Sequence, residues 1–211
     1  MKNFLIGMWM MFGLMIERFM VGFGLIQCLD MYDIDYVSGQ DNTGGLTQTF
    51  YFAKAEDIDS WPTIATKSTA TDYDELMKYQ GDFTMKAGKR FYKGYLTWGT
   101  GELKWDAQGG MDGKSFKQSL EISRPGCDEK ALAFLDMVKN ANLVFIVLDK
   151  DGNYRVLGSE FLAAKLESSA GTTGKTGEDS KADVMTFVSE LASPPRFYDG
   201  TIPLTEASGS V

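Results

Sequence analysis

The chain has 211 residues, 44% of them apolar, with four Trp and fourteen Phe. That is enough for one well-buried domain plus an appendage, and too apolar for wholesale disorder. It contains no His, which removes the commonest general base and metal ligand, and its net charge of −8 argues against a basic face that neutralises nucleic-acid phosphates.

In chain order, Phe4 to Ile16 is almost wholly apolar, Glu17-Arg18 interrupts it, and Phe19 to Ile26 resumes. A spanning helix needs ~20 uninterrupted apolar residues, and a charged pair near its middle is costly. The first block also has the length of a signal-peptide core behind Lys2, without a clean small-x-small cleavage site. Leu25-Ile26-Gln27-Cys28 resembles a lipoprotein processing site in which Gln27 replaces the expected small residue. Seven of the twelve Met fall within residues 1–31, so Met20 or Met31 could equally be the start of translation. Residues 1–30 are therefore read as a leader, an anchor or a start-site artefact, and membrane contact through residues 4–27 stays open.

From residue 31 to 204 a single mainly β domain is expected, followed by a flexible tail, 205–211. After the Gly- and Asp-rich loop Ser38–Gly45, Leu46–Ala53 reads as the first strand, rich in Thr and aromatics. The acidic cluster Glu56, Asp57, Asp59 reads as a solvated turn anchoring Ile58 and Trp61, rather than as a metal site. Asp72–Met77 fits a helical turn or a strand end equally. Phe83–Met85, the turn Lys86–Lys89 and Arg90–Trp98 are expected to form a hairpin. Glu102–Ala107 is another strand, with Leu103 and Trp105 on one face. Gln108–Gly113 is a loop, and Lys114–Ile122 the next strand.

A helix is predicted over about 128–140. Asp128 is placed to cap it, Glu129 favours its dipole, and Ala131, Phe134, Leu135 and Val138 form an i, i+3, i+4, i+7 stripe. Leu143–Leu148 lacks polar alternation and is expected to be a central strand covered on both sides. Asp149–Asn153 offers Asp, Asp and Asn at alternate positions, as a calcium loop does, but its Gly and Glu spacing does not match, and a hairpin turn on Asp151-Gly152 explains the same residues. Tyr154–Leu157 and Phe161–Ser168 follow as strands, then a long loop, Ala170–Asp183, and a strand, Val184–Leu191. Gly174-Lys175-Thr176 lacks the upstream Gly and the following helix of a phosphate-binding loop. Pro194–Pro203 reads as an extended exit. Cys28 and Cys127 suggest neither a disulfide framework nor zinc. Cys127, at a helix start, reads as a structural thiol, with a reactive one as the lesser alternative.

About seven to nine short strands and one helix make a mainly β sandwich or barrel with one amphipathic helix packed on it. Gly113–Lys117 leading into Ser123–Gly126, the helix end Asn140–Asn142, and Leu143–Phe145 through Tyr154–Gly158 resemble structural proteins of tailed phages and prophages of gut bacteria. The strand-rich domain with one helix is similar in outline to the tail-tube fold shared with the type VI secretion tube. The resemblance implies a virion protein that assembles in the host bacterial cytoplasm into hexameric rings, stacked into a tube for DNA passage. Its partners would be copies of itself and other virion proteins, with no sequence-specific nucleic-acid binding. On that reading the acidic charge suits a DNA-repelling lumen, and Ala170–Asp183 an inter-ring contact. The alternative is a membrane-anchored or lipidated bacterial surface protein of the envelope, binding glycans through aromatics such as Tyr95, Trp98 and Trp105. No catalytic, cofactor or metal residues are expected, and an enzyme is the least favoured class.

Overall fold

The computed structural model describes residues 31, 33–36, 38–40 and 42–207. The leader readings at 4–27 and Cys28 lie outside these residues. Among the described residues, thirteen strands and two α-helices are arranged as a sandwich. The strands are β1 (Leu46–Lys54), β2 (Ile58–Ser60), β3 (Thr63–Ile64), β4 (Lys78–Gln80), β5 (Thr84–Met85), β6 (Tyr92–Tyr95), β7 (Glu102–Gln108), β8 (Ser115–Pro125), β9 (Leu143–Asp149), β10 (Tyr154–Leu157), β11 (Lys165–Thr172), β12 (Ala182–Leu191) and β13 (Arg196–Tyr198). The helices are α1 (Tyr73–Leu76) and α2 (Glu129–Val138). A seven-stranded sheet of order β3-β4-β13-β10-β9-β1-β6 faces a four-stranded one of order β11-β12-β8-β7, and β2 pairs with β5 separately.

β9 is the strand the molecule is built around. Leu143, Phe145 and Val147 enter the core between the two large sheets, where Phe145 meets Phe187 of β12 with ring centroids 4.5 Å apart. The alternate residues Val144 and Ile146 enter a second core on the opposite face, with Ile58, Phe83, Phe91 and Tyr198. All five are fully or almost fully buried, so each contributes roughly 1.5–3 kcal/mol of apolar burial, and no polar position could interrupt the run. The turn to β10 is a tight hairpin: the Asp149 amide donates to the Asn153 carbonyl, and Gly152 takes φ 88°, which favours glycine.

α2 forms where its capping residues predict. The Asp128 carboxylate accepts from the Ala131 amide at 3.1 Å, satisfying one of the helix's free N-terminal donors. Ala131 and Val138 are buried, while Phe134 packs edge-on against Phe52 at 5.1 Å and Leu135 joins the same cluster. Cys127, just before the cap, donates its thiol to the carbonyl of Thr172 at 3.3 Å.

Several expectations need correction. Phe83–Met85 and Arg90–Trp98 do not pair with each other: the Lys86–Lys89 turn is present, but β5 joins β2 and β6 joins β1. The cause lies at the far end of the chain. The Pro203 carbonyl accepts from the Phe91 amide, and Ala207 exchanges hydrogen bonds with Gly88 and Lys89, filling the place a second arm would take. The expected tail 205–211 is therefore held at least as far as Ala207. The exit Pro194–Pro203 contains β13, which runs antiparallel to β10 and parallel to β4 and buries Tyr198 completely. The strand expected at Phe161 starts at Lys165, because Gly158 turns the chain at φ 96° and Ala164 bridges to Leu143. β11 and β12 then extend their hairpin, so the loop expected at Ala170–Asp183 shortens to 173–181.

Candidate assembly surfaces

None of the residues singled out as candidate ligands is gathered into a reactive constellation. Among the described residues there is no group of three or more His, Cys, Asp or Glu side chains that could hold a metal ion. In the calcium-like turn, Asp149 pairs with Arg155, and Asp151 accepts from the Thr43 amide. In the Gly174–Thr176 loop, the amides of Lys175 and Thr176 that a phosphate would need already donate to the Asp179 carboxylate, at 2.7 and 2.8 Å. Those amides, Thr176 first and then Lys175, hold Asp179 below the ordinary carboxylate pKa. At the 56–59 turn, Asp57 meets Lys89 at 3.1 Å, while Ile58 and Trp61 pack in the second core as expected.

What the fold leaves open are sheet edges and one sheet face. The second core covers the far side of the seven-stranded sheet, but the outer face of the four-stranded sheet has no cover among the described residues. The register places Glu102, Asp106, Glu121 and Glu190 on that face with Lys104, Lys117 and Lys165, and Glu167 reaches it to pair with Lys117. Five acidic groups thus stand against three basic ones, with Ser119, Ser123, Thr186 and Val188 between them. Glu102 and Glu121 lie directly opposite each other, a like-charge pair that costs stability. Lys104, 2.9 Å from Glu102, offsets part of that cost, and the hydrogen bond with Glu102 raises the Lys104 pKa.

The two edges of this sheet differ. β7 carries alternating charges and Trp105, 43% exposed, whose ring lies 5.5 Å from the Arg155 guanidinium. β11 has a bulge between Leu166 and Ser168, then five uncharged, exposed residues, Ser168 to Thr172. A run of that kind lacks the Lys, Pro or inward charge that usually blunts an edge. β6, the edge of the larger sheet, is narrower, with Gly94 lying under the Phe50 ring.

Among the described residues, Gln118 Oε1, Ser193 Oγ and both carboxylate oxygens of Asp183 are buried without a hydrogen-bond partner, and of these Asp183 alone can carry a charge. Asp183 lies on the inward side of β12, 1% exposed, and neither carboxylate oxygen has a hydrogen-bond partner within the protein. Burial raises its pKa, and the charge of Arg124, its cross-strand neighbour, partly offsets this. The carboxylate is screened from water but near the rim of the core, and Arg124 is engaged by Asp128 at 3.1 Å. Sequence reasoning placed Asp183 in a loop; the alternation continuing back from Met185, Phe187 and Leu191 marks it as inward-facing.

Two open clefts lie at the ends of the sandwich. One, of about 690 Å³, is lined by Glu56, Asn142, Phe161, Leu162 and Val188 among others. The other, of about 590 Å³, lies between Gly45, Gly99, Gly101, Lys150 and Val184, with Glu102 and Glu121 also on its wall. Trp98 is 67% exposed beside the second cleft, with Lys150 Nζ 5.1 Å from its ring centroid. No helix among the described residues is long and apolar enough to cross a membrane. Comparison with protein-family models, with curated proteins and with solved structures finds no match for the chain.

Proposed function

We propose that the chain is a virion structural subunit, tail-tube-like, whose copies join edge to edge through the four-stranded sheet into rings that stack for DNA passage. The observation that carries this reading is the pair of open edges. In an antiparallel sheet of four strands the two edge strands run in opposite directions, so β11 of one copy beside β7 of the next continues the alternation without a break. Closing such a repeat into a ring removes both free edges of the four-stranded sheet, which a single copy cannot do. About eight strands close into a barrel filled by its own side chains, so three or more copies leave a lumen. Six copies, the number the resemblance implies, give ~24 strands; at ~4.8 Å spacing and ~40° tilt the barrel is ~45–50 Å across between backbones. The uncovered face with its acidic excess would line that lumen and keep DNA from adhering.

Adjacent residues of an edge strand point their amides alternately toward and away from the strand they already pair with. Of Ser169→Pro and Ala170→Pro, one therefore removes a hydrogen bond within the chain, and the other removes only a donor facing the next copy. The variant that retains wild-type thermal stability should lose ring formation in electron micrographs. Rings formed equally well by both would refute edge pairing through β11.

The exposed Trp98 favours a second reading, an envelope-anchored sandwich that binds glycans. Binding on a glycan array, abolished by Trp98→Ala in a protein that stays monomeric, would replace the first reading with this one.

A further inference from the structure

The arm that precedes β1 stands outside both cores. Ile34 is 89% exposed and Tyr36 85%, and neither Asp33 nor Asp35 forms an ion pair with another described residue. Asp33, Ile34, Asp35 and Tyr36 alternate acidic and apolar, the period of a strand with one face to bury and one to charge. Within one copy the arm leaves on the side of β1 away from β6. The Thr43 amide donates to the Asp151 carboxylate at 3.1 Å and the Lys150 amide to the Gly45 carbonyl at 3.2 Å, both in the β9–β10 turn, whereas β6 lies on the other flank of β1.

β6 is paired only to β1, and its features are complementary to the arm. On its inward face Gly94, opposite Phe50, presents no side chain, and a cleft of about 270 Å³ runs beside it among Phe50, Phe52, Phe134 and Met185. A glycine in an edge strand marks a place where another backbone can come close. Lys93 alternates to the other face, beside Tyr51; it is exposed and forms no ion pair with a described residue. Its neighbours on that face, Thr49, Tyr51 and Tyr95, are uncharged. The cleft wall carries no carboxylate, and its other cation, Arg124, is engaged by Asp128. In a chain of net charge −8 this edge is locally basic. A Lys in that position opposes the pairing of two β6 strands and admits a strand that bears acids.

We propose that the arm of one copy adds as an antiparallel strand to β6 of a neighbouring copy, with Ile34 opposite Gly94 and entering the cleft, Asp35 opposite Lys93, and Tyr36 opposite Tyr92. The added backbone pairs with the free edge of β6, and the alternating side chains fix the register. Tyr36 precedes Leu46 by ten positions, a reach of up to ~35 Å when extended, enough to leave one domain and lie on the next. The contact uses neither β7 nor β11, so it goes beyond the pairing of the four-stranded sheets and does not depend on it.

The test is disulfide formation between copies of the full chain in a Cys28→Ser, Cys127→Ser background. A Tyr36→Cys chain mixed with a Tyr92→Cys chain and oxidised should give mixed dimer about tenfold or more above Tyr36→Cys mixed with Met111→Cys, an exposed site on the β7–β8 loop. Ile34→Ser in the Tyr36→Cys chain should cut the yield about tenfold, since a buried anchor dominates such a contact. Lys93→Glu in the Tyr92→Cys chain should lower it, and Asp35→Lys in the other should restore it. A yield no higher than the control, no loss with Ile34→Ser, or failure of the charge swap to rescue overturns the proposal. So does a chain carrying both Tyr36→Cys and Tyr92→Cys that closes its disulfide within one copy at high dilution, which would mean that the arm serves its own β6. Mixed dimer without rings in micrographs would uphold this contact and sink edge pairing; rings without mixed dimer would do the reverse.

Discussion

Replacing Gly94 by alanine puts a methyl group where the Phe50 ring already lies. A Cβ on Gly94 would stand 2.5 and 2.6 Å from Phe50 Cε2 and Cε1, and closer still to Cζ, against the 3.5–4.0 Å at which carbon atoms rest. The ring must therefore move by about an ångström or more. Phe50 is 4% exposed and lies between Phe52, at 5.9 Å, and Phe145, at 6.2 Å, so it can yield only toward the cleft of about 270 Å³ lined by Phe52, Gly94 and Phe134, and at the cost of those ring contacts. Overpacking of this kind costs about 1–3 kcal/mol, and alanine's better fit to strand backbone recovers only a small part. Phe50→Leu alone leaves a space and costs a comparable amount. The double variant should be less destabilised than the two single changes summed, with a coupling of about 1 kcal/mol or more, because the methyl fills what the ring vacates. Urea unfolding of the four proteins measures this. Strict additivity, or a Gly94→Ala protein as stable as the parent, would refute the packing argument.

Asp183→Asn should stabilise the fold by about 1 kcal/mol above neutral pH, since it removes a buried, unpartnered charge. The sign follows from the raised pKa: the native state binds the proton more tightly than the unfolded chain, so stability is full below the unfolded carboxylate value and falls as pH rises through the folded one. The gain from Asn should therefore vanish in acid, and a gain independent of pH would contradict it. Asp128→Ala should cost about 1 kcal/mol by removing the α2 cap, with Asp128→Ser recovering most of the loss; equal thermal midpoints for all three would show that the cap is idle. Tyr198 is buried, with its hydroxyl donating to the Thr201 carbonyl at 2.8 Å and accepting from the Phe83 amide. Tyr198→Phe should lower stability by about 1–2 kcal/mol in urea titrations, and an unchanged midpoint would mean that the Phe83 amide finds another acceptor.

Legibility in the sequence followed the range of the interaction. Leu143–Leu148 announces a strand covered on both faces because six apolar residues leave no polar side to expose, and Asp128 announces the helix because capping is local. The β9–β10 hairpin is equally local and stands as expected. The second core was not legible, since it depends on Pro203 and Ala207 returning to residues 88–91 across more than a hundred positions. Phe161 misled for a different reason. Apolar residues before a strand read as part of it, whereas here Gly158 and the Ser159 turn hold them outward. Ala170–Thr172 misled in the opposite direction: small residues read as loop, yet an edge strand exposed on both faces needs backbone pairing and no burial. The surfaces on which the functional reading depends are thus those where side-chain patterning carries least information.

Electron microscopy of the concentrated full chain decides whether copies join through the β7 and β11 edges. The expected result is closed rings, stacking into tubes, with an open centre of the width that four strands per copy set. A uniform population of monomers at the same concentration would contradict it.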